Sequence, residues 1–242
     1  MKNILHKKSC TIFNESQKVA AIVPAYNEHA RIEHVVAVLA RSPRIGEVIV
    51  VDDGSDTPLA RAIQEQPRIR TIRHTHNQGK ATAMESGVQA TDAAFIFFCD
   101  ADLVGLTEDH LAALIDPVTS GQFHMSIGVR QNWGQRVSRF VALHSGERCL
   151  ARSDWLSLHS FYKKRFRIEA GLNARAWLLD YPVFVQNMSY RQTVRERKYG
   201  FFNGVAGRFQ MALDISVALL FAAYEYSAWR AQAYSTQQVA SV

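Results

Sequence analysis

Four short apolar runs recur along the first half of the chain, and each breaks off into polar residues. Val19 to Val23 ends at Pro24 and is followed by Ala25-Tyr26-Asn27-Glu28. Glu47 to Val51 runs into Asp52-Asp53-Gly54-Ser55-Asp56. Ile69 to Ile72 is shorter, and Phe95 to Cys99 stops at Asp100-Ala101-Asp102. Runs of this length, rich in β-branched and aromatic residues, are read as buried strands. Between them the apolar positions take helical spacing: Ile32, Val35, Val36 and Leu39, then a helix from about Pro58 to Gln64 and another from Ala81 to Ala90, opened by Asn77-Gln78-Gly79-Lys80. A helix from Thr107 to Val118 and a strand from Met125 to Val129 continue the series. Strand and helix in strict alternation predict an α/β fold, a mainly parallel twisted sheet flanked by helices. The polar C-terminal ends of the strands then converge on one crevice, the place where open sheets bind ligands.

After Arg130 the pattern changes. The stretch from Arg130 to Arg165 is rich in Arg, Trp and His, and Ser145-Gly146-Glu147-Arg148 marks a turn or helix start within it. Helical spacing returns from Ile168 to Leu179, a strand is expected over Tyr181 to Val185, and Arg191 to Lys198 is a basic run. Phe209 to Trp229 reads as an amphipathic or buried helix. The expected organisation is a flexible tail over 1–18, a core over 19–129, and a helical extension of the same domain over 130–242.

Composition narrows the function classes. With 242 residues, 48% of them hydrophobic, the chain can bury one full core. A net charge of +6 suits an anionic partner such as a nucleotide, a phosphorylated molecule or an acidic membrane surface. Nucleic acid is not expected, because the basic residues are dispersed through the first half and form no recognisable binding motif. Cys10, Cys99 and Cys149 have no C-x-x-C spacing and cannot all pair, which argues against a disulfide framework or a thiolate metal site and fits a reducing cytosol. Met1 to Lys18 holds no apolar core of signal-peptide length. Ile215 to Tyr224 is much shorter than the roughly 20 residues that span a bilayer, so no transmembrane helix is expected.

The candidate chemistry centres on Asp100 and Asp102. If the Phe95 strand continues through them, the two-residue period aims both carboxylates the same way, and they can share one hard divalent cation. The alternative is local: Asp100 starts a turn, and Asp102 or Thr107 caps the next helix. Lys80, at a helix start after Gly79, either faces a diphosphate or is an ordinary exposed lysine. Asp53-Gly54-Ser55-Asp56 is likewise open to a reading as turn chemistry alone.

Pro24-Ala25-Tyr26-Asn27-Glu28, Val51-Asp52-Asp53-Gly54-Ser55, Asn77-Gln78-Gly79-Lys80 and Asp100-Ala101-Asp102-Leu103, in this order and spacing, resemble family 2 glycosyltransferases of the GT-A fold. The later Ser-Gly-x-Arg is similar to the polyprenyl-phosphate sugar transferases, the dolichyl-phosphate mannose synthase branch. The likeness covers Val19 to Arg148 and is thin beyond.

The resemblance implies a metal-dependent, inverting transfer of a sugar from a UDP- or GDP-linked donor to a phosphate-bearing acceptor such as a polyprenyl phosphate. Two rivals stand beside it: a small soluble acceptor, as in the glucosyl-phosphoglycerate synthases, and a non-catalytic nucleotide-sugar-binding protein. Implied nucleotide-binding residues are Pro24, Tyr26, Glu28, Asp52, Asp53, Lys80 and Asp100. Asp100 and Asp102 would hold Mg²⁺ or Mn²⁺. Asp102, Arg148 and Glu169 are the catalytic candidates, and Arg130, Arg139 and Arg148 the cations for an acceptor phosphate, which needs no general base because it is already ionised. Glu169 has alternatives: orienting Arg148, acting as base toward a hydroxyl acceptor, or pairing with Arg165 or Arg167.

Two features depart from relatives. Val104 stands where an oxygen-bearing side chain can follow the metal motif, so water or a distant ligand such as His144 or His159 would complete the shell; either histidine is equally read as structural. The Gln-x-x-Arg-Trp of processive synthases is absent. The segment 130–242 becomes the acceptor side, and the basic run with the late apolar helix suits either peripheral docking on the cytoplasmic membrane face or packing in a homodimer.

Overall fold

The computed structural model describes residues 19–63, 66–130, 145–164, 167–192 and 212–228. The expected tail over 1–18, Arg139, His144, Arg165 and the basic run beyond Gln192 lie outside the described residues, as does the side chain of Arg130.

A seven-stranded sheet orders the described residues as β3-β2-β1-β4-β7-β6-β8. Its strands are β1 (Val19–Ala25), β2 (Ile45–Asp52), β3 (Ile69–Arg73), β4 (Phe95–Phe98), β6 (Met125–Arg130), β7 (Arg148–Ala151) and β8 (Val183–Met188). Every neighbouring pair is parallel except those made by β7, which runs against both β4 and β6. Six strands therefore end on the same edge, and β7 begins there. The chain walks outward from β1 through β2 to β3, then crosses to β4 on the other side of β1, which makes the gap between β1 and β4 the switch point of the sheet.

Alternation along the strands sorts the core into two layers. Ala21, Val23, Val48, Val50, Phe97 and Cys149 pack with α1 (Ile32–Arg41) and α3 (Glu108–Thr119). Ala20, Ile22, Ile49, Val51, Phe98 and Leu150 face the other way, toward α2 (Lys80–Gln89), α4 (Arg152–Leu156), α5 (Ile168–Leu178) and α6, over 212–228. Gly87 lets α2 lie against β1: a Cβ there would stand 2.4 Å from Ile22 Cγ2. Pro24 is tolerated in a central strand because it shares the parity of Ile22, whose carbonyl faces β4, and the ladder to β4 has already ended at Ile22 opposite Phe98.

Several expected elements shift. The helix placed over Pro58 to Gln64 is a single 3₁₀ turn, Leu59–Ala62: the Asp52 carboxylate accepts the Leu59 N–H at its start, and Ile63, extended at φ −116° and ψ 123° with its side chain in the core, ends it. Ser145 to Glu147 makes a turn into a strand rather than a helix start: Arg148 pairs with Phe98 along the open side of β4. The segment after residue 130 adds β7 and β8 to the sheet as well as its helices, and the last expected strand moves from Tyr181–Val185 to Val183–Met188. No described helix is long and apolar enough to cross a membrane.

Candidate active site

The loops at the switch point are built on carboxylates that accept backbone N–H groups. Asp52 is fully buried; its Oδ1 accepts from Ser55 N at 2.9 Å and its Oδ2 from Leu59 N at 3.0 Å and Arg73 Nη1 at 2.6 Å. Burial works against its charge, yet these donors hold the carboxyl below its usual range. Asp53, also buried, accepts from Gln78 N at 2.9 Å and Gly79 N at 2.7 Å, and its Oδ1 lies 2.7 Å from His74 Nδ1. His74 Nε2 reaches Ser86 Oγ on α2 at 2.9 Å. Asp53 and His74 thus strap the 74–79 loop across the end of β2, and Gly54 makes the contact possible: with φ +76° and a Cβ position 2.4 Å from the His76 carbonyl carbon, no other residue fits there.

Asp52 and Asp53 turn their carboxylates inward, where each meets three groups of the surrounding loops and so shapes the nucleotide side of the cleft, the turn chemistry that the sequence left open for Asp53. Tyr26, half-buried, and Glu28, buried and 3.0 Å from Arg31 Nη1, follow Pro24 at the end of β1. Asn27, with φ 57°, ties this loop to the next one: its N–H donates to Ser55 Oγ at 2.9 Å and its side-chain oxygen accepts from Asp56 N at 3.0 Å.

The strap delivers Lys80 to the mouth of the switch point. Lys80 Nζ donates to Asp100 Oδ1 at 2.7 Å and lies 3.8 Å from Glu169 Oε1. Burial opposes its charge, but Asp100 and Glu169 outweigh that and raise its pKa above the ordinary lysine value. Asp100 and Asp102 are not in a strand: β4 ends at Phe98, and residues 99–102 form a turn, so strand alternation does not set their relative direction. Asp102 is buried, Leu103–Val104 forms β5, and β5 pairs antiparallel with β9 (Arg191–Gln192). Val104 is exposed. The cap of α3 belongs to Thr107, whose N–H donates to His110 Nδ1 at 3.1 Å. His159, exposed, accepts from Phe161 N, and among the described residues it belongs to no group of three side chains that could hold a metal.

On the far side of the pair stands the turn before β7. Ser145, Glu147 and Arg148 are buried, and Ser145 Oγ donates to Glu147 Oε2 at 2.7 Å. Arg148 Nε donates to Ser145 O at 2.8 Å and Nη1 to Asn173 Oδ1 at 2.7 Å. Its whole side chain is out of solvent, which lowers its pKa to about 10 despite Glu169 and Glu147. Arg148 is therefore not a cation presented to an acceptor phosphate; it braces the turn from behind. Glu169 sits beside Lys80, whereas Arg167, one of the two arginines considered as its salt-bridge partner, pairs with Asp214 at 3.4 Å. Gly146 lies over the ion pair, where a side chain would have to push the pair aside: its Cβ position is 2.5 Å from Lys80 Nζ and 2.9 Å from Asp100 Oδ1.

Sequence reasoning missed Asn27, His74, Gly146 and Asn173 as parts of this site. Asn27 and Gly146 stood inside quoted motifs without a role of their own, whereas His74 and Asn173 carry no local signal. For a metal, the chain offers the hard oxygens of Asp100 and Asp102. No three His, Cys, Asp or Glu side chains among the described residues converge to hold an ion alone. That donor set fits Mg²⁺ or Mn²⁺, which take one or two carboxylates and complete their shells with water and phosphate oxygens.

Comparison with known proteins identifies the family and the fold. An uncharacterized glycosyltransferase of Rickettsia felis is 25% identical over 154 residues, 60% of this chain and 25% of that protein. The dodecaprenyl-phosphate galacturonate synthase of Rhizobium johnstonii is 27% identical over 127 residues, 49% of this chain and 37% of that one. This chain thus spans well under half the length of either relative. Among solved structures, glucosyl-3-phosphoglycerate synthase from Mycobacterium tuberculosis, in complex with Mn²⁺, uridine diphosphate and phosphoglyceric acid, superposes with a TM-score of 0.69 at 20% identity, over 85% of this chain and 78% of that one. The glycosyl transferase family 2 model matches residues 20–177, from β1 almost to the end of α5 and so across every loop of the switch-point cleft: the chain belongs to glycosyl transferase family 2, with the GT-A arrangement of its sheet.

Proposed function

We propose that this protein transfers a sugar, with inversion, from a nucleotide-diphosphate donor to a phosphate-bearing acceptor, and that the reaction depends on Mg²⁺ or Mn²⁺. The observation that carries the reading is the meeting of Lys80, Asp100 and Glu169 at the switch point, beside Asp102 and beneath Gly146. The family match supplies the reaction class. Inversion comes from the resemblance to family 2 enzymes.

The base and ribose lie along the Pro24 to Glu28 loop, with Tyr26 for stacking, and the strap on Asp53 frames their other side. Asp100 and Asp102 would hold the divalent cation, which as a Lewis acid stabilises charge on the departing diphosphate. Lys80 donates to the same phosphates. The gathering of carboxylates supports a cation there: Lys80 is held by Asp100 and lies near Glu169, and Glu147 and Asp102 are buried close by in sequence to Arg148 and Asp100. Glu169 orients Lys80, and toward a hydroxyl acceptor it is the group placed to take a proton. A phosphate acceptor attacks without that help and needs cations for positioning. Arg130, which ends β6 on the cleft edge, and Arg139 are assigned that role, with Arg148 removed from it by burial.

A polyprenyl phosphate is the favoured acceptor. The galacturonate synthase relative is named for such a lipid. The outer face of α6 also suits an interfacial substrate: Leu213, Leu220 and Tyr224 are exposed, while Asp214 and Glu225 turn inward to Arg167 and Tyr162. On this reading the protein works at the cytoplasmic membrane face. A soluble phosphorylated acceptor is the second reading, favoured by the likeness to a synthase solved with phosphoglyceric acid. The test is a donor screen: UDP- and GDP-sugars with Mn²⁺ or Mg²⁺, with and without undecaprenyl phosphate or phosphoglycerate, recording free nucleotide and labelled product. Transfer to lipid supports the first acceptor and transfer to phosphoglycerate the second. Absence of turnover with every donor overturns the enzymatic reading.

A further inference from the structure

The Lys80–Asp100 pair occupies the carboxylate that the proposed reaction assigns to a divalent cation. Lys80 Nζ sits 2.7 Å from Asp100 Oδ1, a direct charge-assisted hydrogen bond, and 3.8 Å from Glu169 Oε1. While the ammonium holds Asp100 Oδ1, its charge opposes the approach of a metal ion to that oxygen. The backbone under Lys80 is fixed: Gly79 N and Gln78 N are both bound to Asp53, and Lys80 is the first residue of α2. The side chain, a third exposed, is what can move. Gly146 covers the pair with backbone alone, at a distance where any Cβ would press on Nζ.

We propose that Lys80 is a stand-in cation, which neutralises Asp100 in the absence of donor and passes to the donor diphosphate as the divalent cation takes its place. The inference rests on the assignment of Asp100 and Asp102 to the metal. Its physical basis is charge balance. A metal arriving alone would have to displace the ammonium from Asp100 toward Glu169 and add two positive charges beside it, with no new anion to offset them. When metal and diphosphate arrive together, the displaced ammonium finds new partners, and the charge added by the metal is offset by the phosphates. The two ligands therefore bind cooperatively, and by linkage each raises the affinity of the other by the same factor. Glu169 guides the ammonium between its two positions.

The test is Mn²⁺ titration of the purified protein, with free Mn²⁺ read by electron paramagnetic resonance, without nucleotide and with UDP or GDP. Wild-type protein is expected to take up Mn²⁺ weakly alone and about tenfold or more tightly with nucleotide. Lys80→Met should tighten nucleotide-free Mn²⁺ binding by about tenfold. Lys80→Arg, which keeps a cation opposite Asp100, should not, and neither should Lys163→Met, which removes a lysine paired with Glu85 at 3.1 Å outside the cleft. Lys80→Gln gives the same reading should the Met variant unfold. If Lys80→Met binds Mn²⁺ no more tightly than wild type without nucleotide, while Mn²⁺ still binds with nucleotide, the exchange is overturned and the metal assignment stands. If UDP or GDP binds by calorimetry but no protein takes up Mn²⁺ under any condition, both are overturned.

Discussion

Gly146 stands directly over Lys80: a methyl group on its Cα would lie 2.5 Å from the lysine Nζ. The turn that carries Gly146 is held from behind by Arg148, and the lysine is held from below by the strap on Asp53. Two loops far apart in sequence are thus adjusted to one ion pair.

Gly146→Ala should separate Lys80 from Asp100 at little cost to the fold, because the clash is with the far end of a flexible side chain. The expected outcome is a kcat/KM for donor lowered about tenfold, with a stability change below about 1 kcal/mol. Steady-state kinetics beside thermal unfolding separates the two effects. A large fall in Tm would show that the backbone, and not the pair, had given way.

Asp102→Asn keeps the volume of a buried side chain while removing its charge. On the metal assignment it should weaken metal-dependent donor binding by about a hundredfold, roughly 3 kcal/mol, and leave the unfolding transition close to wild type. Calorimetric titration of nucleotide with and without Mn²⁺ measures this. Undiminished metal dependence would remove Asp102 from the site.

Arg148→Met should act on stability first. The guanidinium is fully buried, and its removal leaves Glu147 and Glu169 without it and the Ser145 carbonyl without its donor, at a cost of about 3–5 kcal/mol. Arg148→Lys should recover little, since one ammonium cannot reach both Ser145 O and Asn173 Oδ1 in the forked geometry. Urea unfolding of both variants checks this, and a near-wild-type midpoint for the lysine variant would show that charge alone suffices.

His110 gives the fold a sensitivity to acid. Thr107 N–H donates to His110 Nδ1, and Nε2 lies 2.9 Å from Ser189 Oγ, so the ring is neutral and bridges the start of α3 to the segment before β9. Burial lowers its pKa below the usual 6.5, with Asp109 opposing weakly. The unfolded chain therefore binds the proton first. The stability from this contact is complete above about pH 6.5 and is lost as pH falls through the lower folded value. His110→Gln should flatten this part of the stability–pH curve between about pH 7 and 5, as measured by urea unfolding at each pH. An unchanged slope would mean that another group titrates.

The alternation of strands and helices from Val19 to Val129, the polar ends of the strands and the four motifs at those ends were legible in the chain itself, because strand period, helix period and turn chemistry are local properties. Lys80, Asp100 and Glu169 were found the same way, as charges interrupting apolar or glycine-marked contexts. What those charges do was not local. Asp52 and Asp53 read as nucleotide-binding candidates, with turn chemistry as the alternative for Asp53, and only their buried contacts with Ser55, Leu59, Gln78 and Gly79 show that they frame the loops. Arg148 read as an exposed phosphate binder, whereas antiparallel pairing of β7 with β4 places it wholly inside, against Asn173 on α5. Burial is a property of the assembled sheet and not of the residue type. An arginine or aspartate spends its charge on whichever partner the packing brings within about 3 Å, and only the tertiary structure decides which partner that is.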